Sequence, residues 1–285
     1  MFEVFRQRIE AEIEKTIAQM GEKTKLRDAC EYALKSGGKR LRPLFVLLIA
    51  DALGHGLDAI PAALSVEFFH TASLIADDLP CMDDDDERRD RPSLHRVFEE
   101  SVALLASYTF IASGYEGIYK NGQTMKADPR FTSAADEATI AALEIATRCA
   151  GIKGATNGQF LDLFPPDTTL ATIQKIILQK TITLFQISFV FGWLFGGGDL
   201  SLLNKVEEAA YHLGMAFQIA DDLQDERQDA THGCAINIAA ALGRGSAFDL
   251  FYEEMAKFEA SLRELGLWNE NFEKATGYLY RLAPV

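Results

Sequence analysis

Five residues, Ile-Ala-Asp-Asp-Leu, occur twice in this chain, at 75–79 and again at 219–223. Each copy closes an apolar, helix-like run. Each is followed by further acid, Asp83 to Asp86 after the first and Asp225 after the second. Carboxylates brought close in a folded protein repel and need a counter-charge, and hard divalent cations with oxygen ligands supply one. On a helix turning about 100° per residue, Asp221 and Asp225 stand one turn apart with Gln218 on the same face. Stacked carboxylates with no neighbouring base suit Mg²⁺, which keeps waters and takes phosphate oxygens as its remaining ligands. A solvated acidic helix end would account for one such motif. It accounts poorly for two that share an apolar lead-in.

The bases fall into separate groups. In Gly37-Gly38-Lys39-Arg40-Leu41-Arg42-Pro43, Lys39 and Arg42 lie one turn apart and the glycines allow close backbone approach. The stretch lacks P-loop spacing, so a nucleoside triphosphate is not implied. Arg88-Arg89, after the first acid motif, offer planar forks to phosphate oxygens. His70 precedes Asp77 by two helical turns and shares its face. Lys180-Thr181 interrupts an apolar helix, where a lysine either snorkels to solvent or aims at an anion. No nucleophile–base pair and no redox motif stands out. Acids that hold metal beside two cationic grips are the parts for metal-assisted departure of one diphosphate next to another. A dry helical cavity would protect the resulting carbocation from water.

The elements that must position these groups read as helices throughout. The chain has 285 residues without a composition break, so one domain, 1–285, is expected. Hydrophobic residues make up 48%, enough for a large core. The net charge of −14 argues against a nucleic-acid surface. Cys30, Cys81, Cys149 and Cys234 have no paired spacing and read as reduced thiols of a cytoplasmic protein. The first residues alternate charge and apolarity, unlike a signal peptide. The most apolar run, Leu184 to Phe195, is short for a bilayer and holds Gln186 and Ser188, so no membrane insertion is expected. Ala62 to Asp78 forms the helix under the first acid pair and should stop at Pro80. Leu202 to Asp222 carries the second pair. Val97 to Tyr119 and Ser133 to Asn157 form long helices separated by the turn-like Asn121-Gly122 and Asp128-Pro129. The expected fold is all-α, a single-domain orthogonal bundle of ten or more helices around a central cavity.

Asp-Asp-Leu-Pro-Cys-Met-Asp at 77–83, followed by Arg88-Arg89, resembles the first aspartate-rich motif of the trans-isoprenyl diphosphate synthases, the farnesyl and geranylgeranyl diphosphate synthase family. Asp-Asp-x-x-Asp at 221–225, preceded by Phe217-Gln218, resembles the second. The resemblance runs from Gly37 through Asp229. It implies that Asp77, Asp83 and Asp221 bind three Mg²⁺ ions, supported by Asp78, Asp222 and Asp225. Arg88 and Lys180 would hold an allylic diphosphate, and Lys39, Arg42, His70 and Arg89 isopentenyl diphosphate. Thr181 and Gln218 would present oxygens to the allylic cation. Relatives of this kind are usually homodimers. The implied reaction is ionisation, attack by the isopentenyl double bond, and loss of a proton. Ala72 and Ser73, one turn below Asp77, leave room where relatives often place a bulky floor, and Phe68 and Phe69 could form a deeper one. This favours geranylgeranyl over farnesyl diphosphate as product. The chain also departs from the family. No lysine occurs from Ala230 to Ala247, where Arg244 is the one permanent base, and Ala106-Ser107, Ala76 and Asp90-Arg91 replace common residues. Two rival readings are a class I terpene cyclase and a non-catalytic or weakly active partner subunit of a prenyl synthase.

Overall fold

The structure is a computed structural model that describes the backbone of residues 2–232 and 236–283 and the side chains of 3–224 and 236–283. Helices follow one another along the chain: α1 (Phe2–Ala18), α2 (Lys25–Leu34), α3 (Leu41–Ala52), α4 (Ile60–Asp77), α5 (Leu94–Phe98), α6 (Glu100–Lys126) and α7 (Ala135–Ala150). Then come α8 (Ala155–Leu163), α9 (Leu170–Ile176), α10 (Thr183–Phe195), α11 (Leu203–His232), α12 (Ile238–Leu242), α13 (Arg244–Glu264) and α14 (Glu270–Tyr280). Among the described residues the single extended pairing is an isolated bridge between Glu87 and Pro92. The all-α expectation holds.

Apolar coverage decides which helices lie inside. α10 buries every residue from Thr183 to Phe195 except Gln186, and α3 buries nine of its twelve. Helices apolar on all sides must be surrounded, and α10 packs against α3, α4, α7 and α11. α1, by contrast, buries only the stripe Phe5, Ile9, Ile13 and Ile17. The helical run Leu170–Phe195 is long and apolar enough to cross a membrane, yet 72% of its most apolar window is buried inside the protein. That is the pattern of a core helix.

Several helix boundaries differ from expectation: Glu99, at φ 74°, splits Val97 to Tyr119 between α5 and α6, and α11 runs on past Asp222. Asn121-Gly122 is not a turn but lies inside α6. The Asn121 amide bonds the Ala62 N–H at 2.8 Å and the Asp58 carbonyl at 3.2 Å, so the residue closes the start of α4. Ser133 to Asn157 is not one helix, because Gly151 to Gly154 separates α7 from α8. The stop at Pro80 is as expected, with α4 ending at Asp77.

Candidate active site

The first acid wall is made by the end of α4 and a loop that folds back on it. The Asp83 N–H donates to the Asp77 carbonyl at 2.9 Å, which returns Asp83 to the side of Asp77. Burial pushes the Asp77 carboxyl up to about 7, and neighbouring Asp83 adds to the rise while Lys180 opposes it. Such a carboxylate lacks a sufficient counter-charge. Asp78 is 3% exposed and turns away to Arg88, whose Nε donates at 2.8 Å. Arg88 also pairs with Asp85 at 2.7 Å, so its charge is committed to this loop.

The second wall lies on α11. Asp222 is buried and accepts from the Gln218 amide at 2.7 Å and from the Ile238 N–H at 2.7 Å. Asn237, which caps α12, donates to the Asp222 carbonyl at 3.1 Å. Asp222 is thus a supporting residue that orients Gln218 and anchors α12. Asp221, half-buried, lies within electrostatic reach of Arg42. The side chain of Asp225 lies outside the described residues.

A π-helical turn, Ile177–Ile182, joins the walls. Its wider backbone ring breaks the α-register between α9 and α10 at Lys180 and Thr181, a departure often found at functional sites. Lys180 pairs directly with Asp162 of α8 and is also influenced by Asp77 and Asp83, and these acids hold its ammonium above the ordinary range although burial opposes the charge. Thr181 donates its hydroxyl to Gln218 Oε1 at 2.8 Å. Lys180 therefore addresses the first wall and Thr181 the second. α8 can approach this turn because Gly158 has no side chain; a Cβ there would collide with the Lys180 backbone.

The second basic group sits at the N-terminus of α3. The Arg42 guanidinium lies over Phe185 at 4.9 Å, and Lys39 Nζ over Phe217 at 5.9 Å. The two rings touch, with centroids 5.4 Å apart, so both cations share one aromatic floor. Arg42 Nη1 stands 3.3 Å from His70 Nε2. Arginine can only donate, so His70 accepts there and carries its proton on Nδ1. Burial, reinforced by Arg42 and Arg89, holds His70 well below the usual histidine range. Among the described residues, Arg42 Nε and His70 Nδ1 are both buried without a partner. Two orphaned donors cost free energy unless an acceptor arrives. Arg89 donates to the Gly37 carbonyl and its guanidinium occupies the space a Cβ on Gly38 would need.

A cavity of about 460 Å³ runs from Asp77 down α4. Ala72, Ser73 and Phe69 line it from α4, Ser107, Ile111 and Tyr115 from α6, and Gln159, Phe160 and Phe164 from the α8 region. Phe69 meets Tyr115 edge-on at 5.2 Å and closes the deep end. Phe68 does not line the cavity. It is buried against Phe110, with centroids 5.9 Å apart, because adjacent helical residues point about 100° apart.

Gln159 and Asp162 were not singled out in the sequence. Gln159 Nε2 bonds Asp83 at 3.2 Å while Asp162 holds Lys180, so two residues of one helix face secure one group from each side. Their spacing of three in Gln-x-x-Asp was the available signal. Arg244 donates to the Leu223 carbonyl at 3.3 Å and lies over Phe248. Among the described residues, Asp84, Asp86 and His95 bring ligand atoms within 4.8 Å of one another, and Arg96 pairs with both carboxylates.

Asp77 and Asp83 on one wall and Asp221 on the other offer the oxygen donors that suit a hard cation such as Mg²⁺, although among the described residues only Asp84, Asp86 and His95 bring ligand atoms within 4.8 Å of one another. All three are carboxylates, and a nearby positive charge would oppose the rise that burial imposes on Asp77.

The chain belongs to the polyprenyl synthetase family, whose sequence profile matches residues 23–233. It is similar to a putative chloroplastic geranylgeranyl pyrophosphate synthase of Arabidopsis thaliana, 35% identical over 76% of this chain and 60% of that protein. It is likewise similar to a farnesyl diphosphate synthase of Geobacillus stearothermophilus, 36% identical over 77% of this chain and 72% of the other. In structure it resembles a geranyltransferase from Legionella pneumophila, with TM-score 0.83 and 28% identity, covering 98% of this chain and 95% of that one. The isoprenoid-synthase fold expected from the two acid motifs is therefore present, and prenyltransferase is the enzyme class of these relatives.

Proposed function

We propose that this protein is a prenyltransferase that condenses isopentenyl diphosphate with an allylic diphosphate, head to tail, to make a short-chain prenyl diphosphate. The observation that carries this reading is the bridge between the acid walls. Arg42 stands between His70 on α4 and Asp221 on α11, and Lys180-Thr181 stands between Asp77 and Gln218. One diphosphate then rests near Lys180 and the first wall, and a second over the Phe185–Phe217 floor.

The chain's own residues perform distinct tasks in this reading. Lys180 leaves Asp162 for a diphosphate oxygen, and Arg88 stays on Asp78 as a buttress for the wall. Arg42 Nε and His70 Nδ1 donate to the isopentenyl diphosphate, with Lys39 and Arg89 beside them. The Thr181 and Gln218 oxygens face the carbon that becomes cationic. The lining of Ala72, Ser73, Ile111 and Phe160 keeps water from it. Asp77, Asp83 and Asp221 would hold Mg²⁺, which neutralises charge on the leaving diphosphate when bound.

Product length follows from the cavity. Small residues at Ala72 and Ser73 leave it open to Phe69, about 12 Å along the helix axis below Asp77. We therefore favour geranylgeranyl diphosphate, with farnesyl next. A second copy of the chain would cover the exposed apolar residues Leu104, Leu105, Tyr108 and Tyr119 of α6. The free thiols Cys30, Cys81 and Cys149 suit the reducing cytoplasm, and Cys234 lies outside the described residues. The test incubates purified protein with isopentenyl and allylic diphosphates, with and without Mg²⁺, and sizes the extracted products. Mg²⁺-dependent geranylgeranyl diphosphate is expected. Absence of any condensation refutes the reading, and a sole farnesyl product refutes the length assignment. Light scattering of the same sample reads the oligomeric state.

A further inference from the structure

The diphosphate grip contains a residue between Lys39 and Arg42 that does not join it. Arg40 is 4% exposed, and its backbone stands in the left-handed region at φ 49°. A non-glycine residue there is strained and persists only where its surroundings hold it. Those surroundings are specific. Arg40 Nη1 donates to Glu67 at 2.5 Å, Nε to Glu10 at 2.9 Å, and Nη2 to the Leu34 carbonyl at 2.6 Å. Glu67 is 2% exposed and lies on α4, three residues before His70 and ten before Asp77, so all three share one helix face. Glu10 lies on α1, and Leu34 ends α2. One guanidinium thus locks three helices to the first residue before α3.

The same carboxylate reaches further. Glu67 is within electrostatic reach of Arg42 and Arg89 as well as Arg40. Three arginines converge here, and an unbalanced cluster would spread apart. We propose that the buried Glu67–Arg40 pair is the positioning device of the isopentenyl diphosphate grip: it fixes the left-handed turn at Arg40 and so sets Lys39 and Arg42 over the Phe185–Phe217 floor and Arg42 against His70. Neither Glu67 nor Arg40 touches substrate. This inference rests on the condensation reading above.

A buried pair of this kind is commonly a fold anchor alone, and the two roles separate experimentally. In Glu67→Gln, Arg40 keeps Glu10 and the Leu34 carbonyl, and the amide oxygen can still accept from it, but the buried counter-charge is lost. KM for isopentenyl diphosphate should rise about tenfold or more, with KM for the allylic diphosphate within about twofold of wild type. If Glu67 acted only as a negative charge near the grip, its removal would lower that KM instead. The double variant Arg40→Met, Glu67→Leu replaces the pair by apolar groups, a change that buried ion pairs often tolerate. It should keep its helical circular dichroism and show the same selective rise. Calorimetric titration with isopentenyl diphosphate alone reads the grip without turnover. Unchanged or lowered KM for isopentenyl diphosphate in either folded variant overturns the proposal, as does an equal rise for both substrates. Wild-type protein that neither binds isopentenyl diphosphate nor condenses it overturns the underlying reading instead.

Discussion

In the first Ile-Ala-Asp-Asp-Leu copy the chain leaves its helix after the acid pair; in the second it stays inside one. α4 ends at Asp77, and Pro80 forces the chain into a loop that carries Asp83 back to Asp77. α11 continues past Asp222 without a break. Within each copy, however, the two aspartates divide the same way. The leading one, Asp77 or Asp221, is half-buried toward the joining π turn and Arg42. The following one, Asp78 or Asp222, is buried and bonded to protein. The partners differ. Asp78 is answered by a full charge on Arg88, while the bonds of Asp222 among the described residues include two from neutral donors, the Gln218 amide and the Ile238 N–H. An acid at a loop is held by an ion pair that can reach it, and an acid inside a helix by groups already fixed nearby.

The sharpest way to break this division is to remove one member at a time. Asp77→Ala should lower turnover by about a thousandfold, roughly 4 kcal/mol of barrier, if Asp77 is the metal ligand proposed for it. Its fold should stay intact. Steady-state kinetics beside circular dichroism check this, and turnover near wild type would show that the leading aspartate is not the working one.

Equivalent positions one turn before each pair sharpen the contrast next. Ala72 and Ala216 each stand five residues before a leading aspartate, and both are buried. Ala72 lines the cavity, whereas Ala216 is fully enclosed in α11 and lines none of it. Ala216→Phe should therefore overpack the core and cost about 3 kcal/mol in denaturant unfolding. Ala72→Phe should cost less than about 1 kcal/mol, and shorten the main product by one isoprene unit. A stable Ala216→Phe, or an unchanged product from Ala72→Phe, would dissolve the contrast.

The buried members come third. Asp78→Asn removes the buried charge facing Arg88 and leaves Asp85 as its paired carboxylate, and about 2 kcal/mol of stability should go. Asp222→Asn turns one acceptor into a donor facing a donor, at a cost of about 1 kcal/mol. Unfolding midpoints decide the order, and the reverse order would mean that the neutral donors hold their acid harder than the arginine does.

Much of this was legible in the residues. Two apolar runs ending in acid, with bases at fixed spacing, gave the all-α fold and the neighbourhood that gathers Asp77, Lys180, Arg42 and Asp221. What stayed hidden depends on through-space partners. Asn121-Gly122 reads as a turn, but its amide is consumed by Ala62 and Asp58, far away in sequence. The π turn has ordinary apolar periodicity, so nothing in Ile177 to Ile182 announces that Lys180 and Thr181 are re-aimed. Spacing likewise cannot tell which aspartate of an adjacent pair turns inward, nor that Phe69 lines the cavity while Phe68 does not. Nor does the run Gly37 to Pro43 show that Arg40, between the two grip cations, turns away to be buried against Glu67.

The last effect is a matter of pH, and it isolates Asp77 from its neighbours. Its folded-state pKa is raised to about 7 by burial first and Asp83 next. An acid raised in this way favours the folded state below its unfolded value near 3.8, and that contribution is lost as pH rises through 7. In chelator, wild-type protein should therefore lose stability across this window relative to Asp77→Asn, which carries no such charge. The variant's melting midpoint should match wild type near pH 4 and exceed it by a few degrees at pH 8. Adding Mg²⁺ with inorganic diphosphate should close the gap by stabilising wild type alone, since binding to the folded state raises its midpoint by mass action. A constant offset across pH would place the strain elsewhere in the loop, and the same pH-dependent gap in Asp221→Asn would show that the two leading aspartates share the cost instead of concentrating it at the helix end.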